Sequence, residues 1–265
     1  MQLNLMNTHY ITNGLVLVLF TIQFLEFYFL KSTLSDMGPW SWTTIHSKFE
    51  CLPTFLKKTL KVLLKYPNFL ALLSFRWTLT LISLYFPFPT VYFLILLSTL
   101  VFLYRWKNPF NGGSDYMSIV LLFGLLVNSI TVRTEWREAG LYYIAFHSLY
   151  SYFKAGWVKI VRPEWRNGKV LKWLVKSSPY KHPLGIFDFI GHSKSAAITC
   201  WFVIVFELTI PFTILSPPVL IIFLFLGILF HGFIVYIFGL NRFFWAWLAT
   251  YPSVIYTSLS LRSLV

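Results

Sequence analysis

Acidic residues are scarce in this chain: nine in 265, against 22 lysines and arginines, for a net charge of +13. Charge of either sign is also thin, at 12% of residues, where a soluble domain carries roughly 25%. That deficit excludes a soluble globule, a disordered tail and a coiled coil, all of which need solvating charge. Cysteine is nearly absent. Cys51 and Cys200 lie far apart with no CxxC, which argues against a dithiol redox centre or a zinc site and requires no disulfide. What the chain has instead is apolar surface: 57% hydrophobic and 20% aromatic residues, with a mean hydropathy of +0.67. This is the composition of an integral membrane protein. The first apolar stretch, Tyr10 to Leu30, lacks a basic flank before it and an A-x-A-like site after it, so it reads as a span and not a cleavable signal.

In a soluble protein a basic excess points to nucleic acid. Here the basic residues fall in loops between apolar spans, where anionic lipid is the expected partner. Apolar runs of about 20 residues suit a bilayer crossing. They place expected spans at 10–30, 68–87, 88–104, 115–132, 139–160, 195–215, 217–239 and 243–260, about eight in all. Pro87 and Pro89 break what would otherwise be one long helix into a hairpin. Sixteen lysines and arginines fall on one set of loops, against Arg133, Arg137 and Arg262 on the other. That asymmetry puts loops 31–67 and 161–194 in the cytoplasm of an inner-membrane, multi-pass protein with both termini outside. The expected fold is therefore all-α, a polytopic transmembrane helix bundle: an N-terminal span and basic loop over 1–67, then the bundle proper over 68–265.

The two basic loops contain patterned helices. Lys57, Lys61 and Lys65 share one helical face and Leu56, Leu60 and Leu63 another; Lys169, Lys172 and Lys176 beside Leu171, Trp173 and Leu174 repeat the arrangement. Both read as amphipathic segments lying in the headgroup layer, or else as solvated loop helices.

An ionisable group within a span costs about 2.5–3.5 kcal/mol even on the lenient insertion scale, so each one asks for a reason. The candidates are Arg76, His147, Lys154, Lys159, Glu207 and His231, with Glu26 near a span end. At about 1.5 Å per residue, Lys154, Arg76, His231 and Glu207 fall roughly 9 to 18 Å from the cytoplasmic end, one layer shared by four helices. Two readings stay open: a polar pocket, or an Arg76–Glu207 ion pair tying helices together while lysines snorkel. The fifth span carries two polar stripes, Ser148-Tyr152-Ala155-Lys159 and His147-Ser151-Lys154, and so belongs in the centre of the bundle. Ala155 and Gly156 let another helix approach closely.

Four segments, in order, carry a family resemblance. They are Tyr152-Phe153-Lys154-Ala155-Gly156-Trp157-Val158-Lys159 with its basic linker to Gly168; Asn108-Pro109-Phe110-Asn111-Gly112-Gly113-Ser114-Asp115; Phe206-Glu207-Leu208-Thr209-Ile210-Pro211; and Phe230-His231 followed by Gly239 to Ala246. Together they resemble the HTTM family, the membrane domains similar to vitamin K-dependent gamma-carboxylase, over roughly residues 68–260. The resemblance implies that Lys159 acts as base on a reduced quinone, helped by His231 and Glu207. Arg76, His147, Tyr152, Lys154, Asn111 and Asp115 would line the pocket. In the carboxylase the deprotonated hydroquinone reacts with oxygen, and the strong base that results removes a glutamate γ-proton before carbon dioxide adds. Small bacterial members also resemble the membrane protein needed to mature a secreted sporulation-delaying toxin peptide, which makes a peptide a candidate substrate. The competing expectation is a non-enzymatic scaffold, peptide-export or immunity factor whose charges hold helices together. A transporter fits less well, because no inverted repeat or paired broken helices are present.

Overall fold

The computed structural model describes residues 4–45, 53–106, 112–130, 134–178 and 186–263. Among them there is no strand, and eleven helices have eight residues or more. These are α1 (Leu5–Phe29), α2 (Thr54–Leu64), α3 (Asn68–Tyr85), α4 (Pro89–Trp106), α5 (Gly113–Ile130), α6 (Thr134–Val161), α7 (Lys169–Lys176), α8 (Ser193–Thr209), α9 (Pro217–Phe238), α10 (Asn241–Leu248) and α11 (Tyr251–Arg262). The chain forms two compact units, Leu5–Leu141 and Tyr142–Val265. The division falls inside α6.

In the unit spanning Leu5–Leu141, α1 packs on α3 and α5, and α4 also packs on both, closing a four-helix ring. The buried stripe of α1 runs Thr8, His9, Thr12, Asn13, Val16, Leu19, Phe20, Gln23 and Phe27, the spacing of one helix face. Five of those nine are polar, whereas Met6, Tyr10, Ile11 and Leu25 are exposed. A water-soluble helix has the opposite arrangement. Hydrocarbon around the helix favours this one, because polar groups there must find partners inside. At one end Phe27, Phe69 and Phe102 pack with ring centroids 5.2 to 5.8 Å apart.

Two arginines are wholly enclosed by this unit. The Arg76 guanidinium lies 4.3 Å from the Phe20 ring centroid and 4.7 Å from that of Phe102, and it donates to Gln23 Oε1 at 2.6 Å. Arg105 lies 4.3 Å from the Phe69 ring and donates to the carbonyls of Leu64 and Trp40. Planar guanidinium groups lie flat on aromatic faces and fork toward two acceptors, which an ammonium cannot do. Pro87 and Pro89 separate α3 from α4, the hairpin break expected of them.

In the other unit, α8 stops at Thr209 and tightens into a 3₁₀ segment, Ile210–Leu215. Pro211 has no N–H for the carbonyl of Glu207 four residues back, so the α-helical ladder cannot pass it. Gly239, at φ 67°, closes α9. Gly168, at φ 77°, opens α7; a Cβ there would meet the backbone of Ala196 and Ala197 within 2.6 to 2.7 Å. Glycine at that position lets α7 lie directly against α8.

Among the described residues, four helical segments are long and apolar enough to cross a membrane: Leu5–Phe29, Gly113–Ile130, Ser193–Leu215 and Pro217–Phe238, against the eight expected. The other expected segments are helical, and each departs from a simple span for a visible reason. Arg76 lies midway along α3, α4 is shorter as an apolar run, and α6 carries lysines and other polar residues. The last expected span, 243–260, is two helices divided at Ala249–Thr250, just before Pro252. The two basic amphipathic segments are formed as α2 and α7. Phe55 and Val62 on α2 are 76% and 61% exposed, so its outer surface is apolar as well as basic.

Arg105→Lys keeps the charge and removes the fork to Leu64 and Trp40. The expected cost is about 1–3 kcal/mol, read as a lower thermal-unfolding midpoint in detergent; an unchanged midpoint would show that the two carbonyls do not need the guanidinium.

Candidate functional site

The chemistry-bearing side chains of the unit Tyr142–Val265 converge on one face of α6. Ser148 and Tyr152 are buried there, Ala155 and Lys159 follow on the same stripe, and each meets a different partner element. The Ser148 hydroxyl is 2.7 Å from that of Thr250, and Trp247 Nε1 donates to Ser151 at 3.2 Å, fastening α6 to the end of α10. One turn further on, Tyr152 Oη lies 2.6 Å from His231 Nε2 on α9 and 2.9 Å from Tyr251 Oη on α11. A further two turns along, Lys159 Nζ donates to both carboxylate oxygens of Glu207 on α8, at 2.7 and 2.6 Å. Nζ also lies 5.2 Å from the centre of the Trp165 ring.

Gly156 makes this pairing possible. A Cβ on it would lie 2.9 Å from Leu208 Cγ and 3.0 Å from Glu207 Cβ, so α6 and α8 touch where the glycine has no side chain. The close approach expected of Ala155 and Gly156 is thus made by α8 at the carboxylate. The Lys159 and Glu207 side chains are 15% and 4% exposed. A charge pair in so dry a setting holds together only because each charge is compensated by the other.

Lys159, Glu207, Tyr152 and His231 line a single cavity of about 500 Å³, shared with Trp165 and Trp247 among its other walls. The walls are otherwise apolar and aromatic. The inner face of α7, through Leu171, Leu174 and Val175, forms one side. The His231 ring is 3% exposed and packs near Phe230, Phe243 and Trp247, and its Nδ1 has no hydrogen-bond partner among the described residues. A second cavity in the unit, about 630 Å³ and lined by Phe146, Phe153 and Phe212, holds no charged or imidazole group and so offers no comparable chemistry.

Compared with family models, curated proteins and solved structures, the chain matches none. The geometry alone therefore carries the reading of this cavity.

Of the residues singled out from sequence, Lys159, Glu207, His231 and Tyr152 come together. Lys154 does not join them: it is exposed, on a different side of α6 from Lys159. His147 packs on the Tyr143 ring, 4.4 Å between centroids, away from the cavity lining. Of the two readings left open, the Arg76–Glu207 pair is not the one seen: Glu207 pairs with Lys159, while Arg76 belongs to the other unit and bonds to Gln23. Asp115 is also in that unit, where its carboxylate accepts from Gly112 N at the start of α5. Asn111 lies outside the described residues. Sequence reasoning missed Trp247, which lines the cavity, and Tyr251, which bonds to Tyr152; they sit where the last apolar run breaks, and nothing in that run marks the break except Pro252. Among the described residues no cluster of three metal-ligating side chains occurs.

Removing one partner of a buried ion pair costs about 3–5 kcal/mol, whereas replacing both with apolar groups is often neutral. Lys159→Met is therefore expected to lower thermal stability markedly, and the double variant Lys159→Met/Glu207→Leu to recover most of the loss. Equal damage in single and double variants would contradict the compensation described above. Gly156→Val should push α6 from α8 and destabilise the unit even with both charges intact; a wild-type unfolding profile would mean that the helices can separate freely.

Proposed function

We propose that this protein is a multi-pass membrane enzyme of HTTM-like type that modifies a peptide or a lipid-soluble quinone inside an intramembrane cavity. It would lie in the inner membrane with both termini outside and its basic segments against anionic lipid, through about eight crossings. The observation that carries the reading is the Lys159–Glu207 couple set in the wall of a 500 Å³ apolar cavity, which the His231 imidazole also lines.

An ammonium and a carboxylate in bidentate contact can exist as a charged pair or, after one proton moves, as a neutral amine and acid. The neutral amine is a general base, and the acid beside it holds the proton ready to return. Exclusion of water keeps that proton from leaking. Tyr152 fixes the His231 ring through Nε2, and the imidazole lines the cavity, so it is held in one orientation beside a bound molecule. A reduced quinone fits this donor set: aromatic walls for its ring, apolar walls for its tail and a nitrogen for one hydroxyl. When bound, such a molecule would supply two electrons and an acidic hydroxyl. Nothing in the geometry requires the quinone itself, and a hydrophobic peptide segment meets the same walls.

The bidentate pair also supports a second reading, a scaffold, export or immunity factor in which Lys159 and Glu207 only join α6 to α8. The two readings part on chemistry. Mass spectrometry of peptides and lipid extracts from cells with wild-type protein, the Lys159→Met/Glu207→Leu double variant or none should show a product mass that disappears in the last two while the variant still accumulates. Identical mass profiles in all three, with altered secretion or sensitivity to a peptide, would leave only the scaffold.

A further inference from the structure

Where α2 meets α3, the surface of the unit Leu5–Leu141 is hollowed into an open groove of about 490 Å³, lined by Lys58, Lys61, Val62, Lys65, Tyr66 and Asn68. At 3.6 residues per turn, Lys58, Lys61 and Lys65 fall within roughly 60° of arc on α2. Lys57, which the sequence pattern grouped with Lys61 and Lys65, is half-buried and does not line the groove. The backbone that joins the two helices is tied down. Lys65 N donates to the Lys61 carbonyl, Phe69 N to the Lys65 carbonyl, and Asn68 Nδ2 to the Val62 carbonyl at 2.8 Å. The groove therefore keeps its shape while its lysine side chains stay exposed.

Like charges one turn apart on a helix repel, and the lining holds no carboxylate among the described residues. Lys65 Nζ lies 3.3 Å from Asp36, but both side chains are nearly half exposed, where solvent screens such a pair. The charges of Lys58 and Lys61 have no acidic partner among the described residues. From Lys58 to Lys65 the helix rises about 10 Å, so the positive charge is drawn out along a line. Its complement is two anionic groups side by side. The place of the groove says where such groups come from. α1, long and apolar enough to cross a membrane, ends at Phe29, and Asp36 follows seven residues later. The Asp36–Lys65 pair thus sets the groove at the level where the chain leaves hydrocarbon. Apolar side chains stand among the ammoniums: Phe55, Leu56, Val62 and Leu63 are all exposed. A face with both kinds of group matches the boundary between lipid phosphate and acyl chain, whereas a free phosphate would use only the lysines.

We propose that this groove is a binding site for one phospholipid whose headgroup carries two phosphodiesters, laid along Lys58, Lys61 and Lys65 with its acyl chains toward the apolar side of α2. The inference sharpens the placement of the basic segments against anionic lipid and rests on that placement. It does not depend on any chemistry at Lys159.

The test titrates the purified full chain in detergent with tetraoleoyl diphosphatidylglycerol, dioleoyl phosphatidylglycerol or dioleoyl phosphatidylcholine, and counts bound lipid by native mass spectrometry. The wild type is expected to retain one diphosphatidylglycerol in preference to the other two. Lys58→Gln/Lys61→Gln should weaken that binding by about tenfold or more, and Lys58→Arg/Lys61→Arg should keep it. Lys169→Gln/Lys176→Gln, an equal loss of charge on α7, should leave it unchanged. Equal weakening by the two Gln pairs would overturn the groove as a site, while the basic segments would still lie against anionic lipid. Binding that does not distinguish either anionic lipid from phosphatidylcholine would sink both statements. Equal retention of the one-phosphate and two-phosphate lipids refutes the headgroup assignment. Displacement of the lipid by an equal concentration of inorganic phosphate refutes a lipid as the occupant.

Discussion

An ammonium and a carboxylate can stay in a dry helical interior only if they meet each other, and the architecture of the unit Tyr142–Val265 is arranged around that requirement. Lys159 is long enough to reach across, but only where the two helix backbones come unusually close. Gly156 supplies the missing side chain and Pro211 ends the α-helical part of α8 one turn past the carboxylate. The aromatic cavity walls then keep water from competing for either charge. Each of these features is costly or neutral in isolation. Together they hold a reactive pair at the edge of an apolar space.

The unit Leu5–Leu141 encloses two guanidiniums as well. Arg76 and Arg105 lie on phenylalanine rings; Arg76 donates to the Gln23 amide oxygen, and Arg105 forks to two carbonyls. Arginine is suited to this because its charge is spread over a plane and is weakly hydrated.

Much of this was visible in the residues themselves. Ser148, Tyr152, Ala155 and Lys159 at spacings of four, three and four announced an inward stripe, and it is inward. The rival stripe through Lys154 was indistinguishable by spacing. Five residues along a helix is about 140° of rotation, so only one of the two lysines could face Glu207, and the neighbours decide which. Depth arithmetic places Arg76 and Glu207 in one layer but says nothing of direction around a helix, so an Arg76–Glu207 pair stood as one of two open readings; the carboxylate meets Lys159. On α1 the polar stripe Thr8-His9-Thr12-Asn13 was hidden for another reason: with apolar residues on every remaining side, the helix reads simply as hydrophobic. Tyr251 was concealed by an apolar run that hydropathy treats as continuous and Pro252 divides.

The hydroxyl of Tyr152 has one proton and two neighbours, His231 and Tyr251. If it gives that proton to the imidazole, the opposite nitrogen of the ring must carry hydrogen and Tyr251 must turn its own toward Tyr152; if it gives the proton to Tyr251, both orientations reverse. Moving the ring's proton from one nitrogen to the other therefore reverses the O–H bonds that reach from α9 through α6 to α11, with no backbone atom displaced.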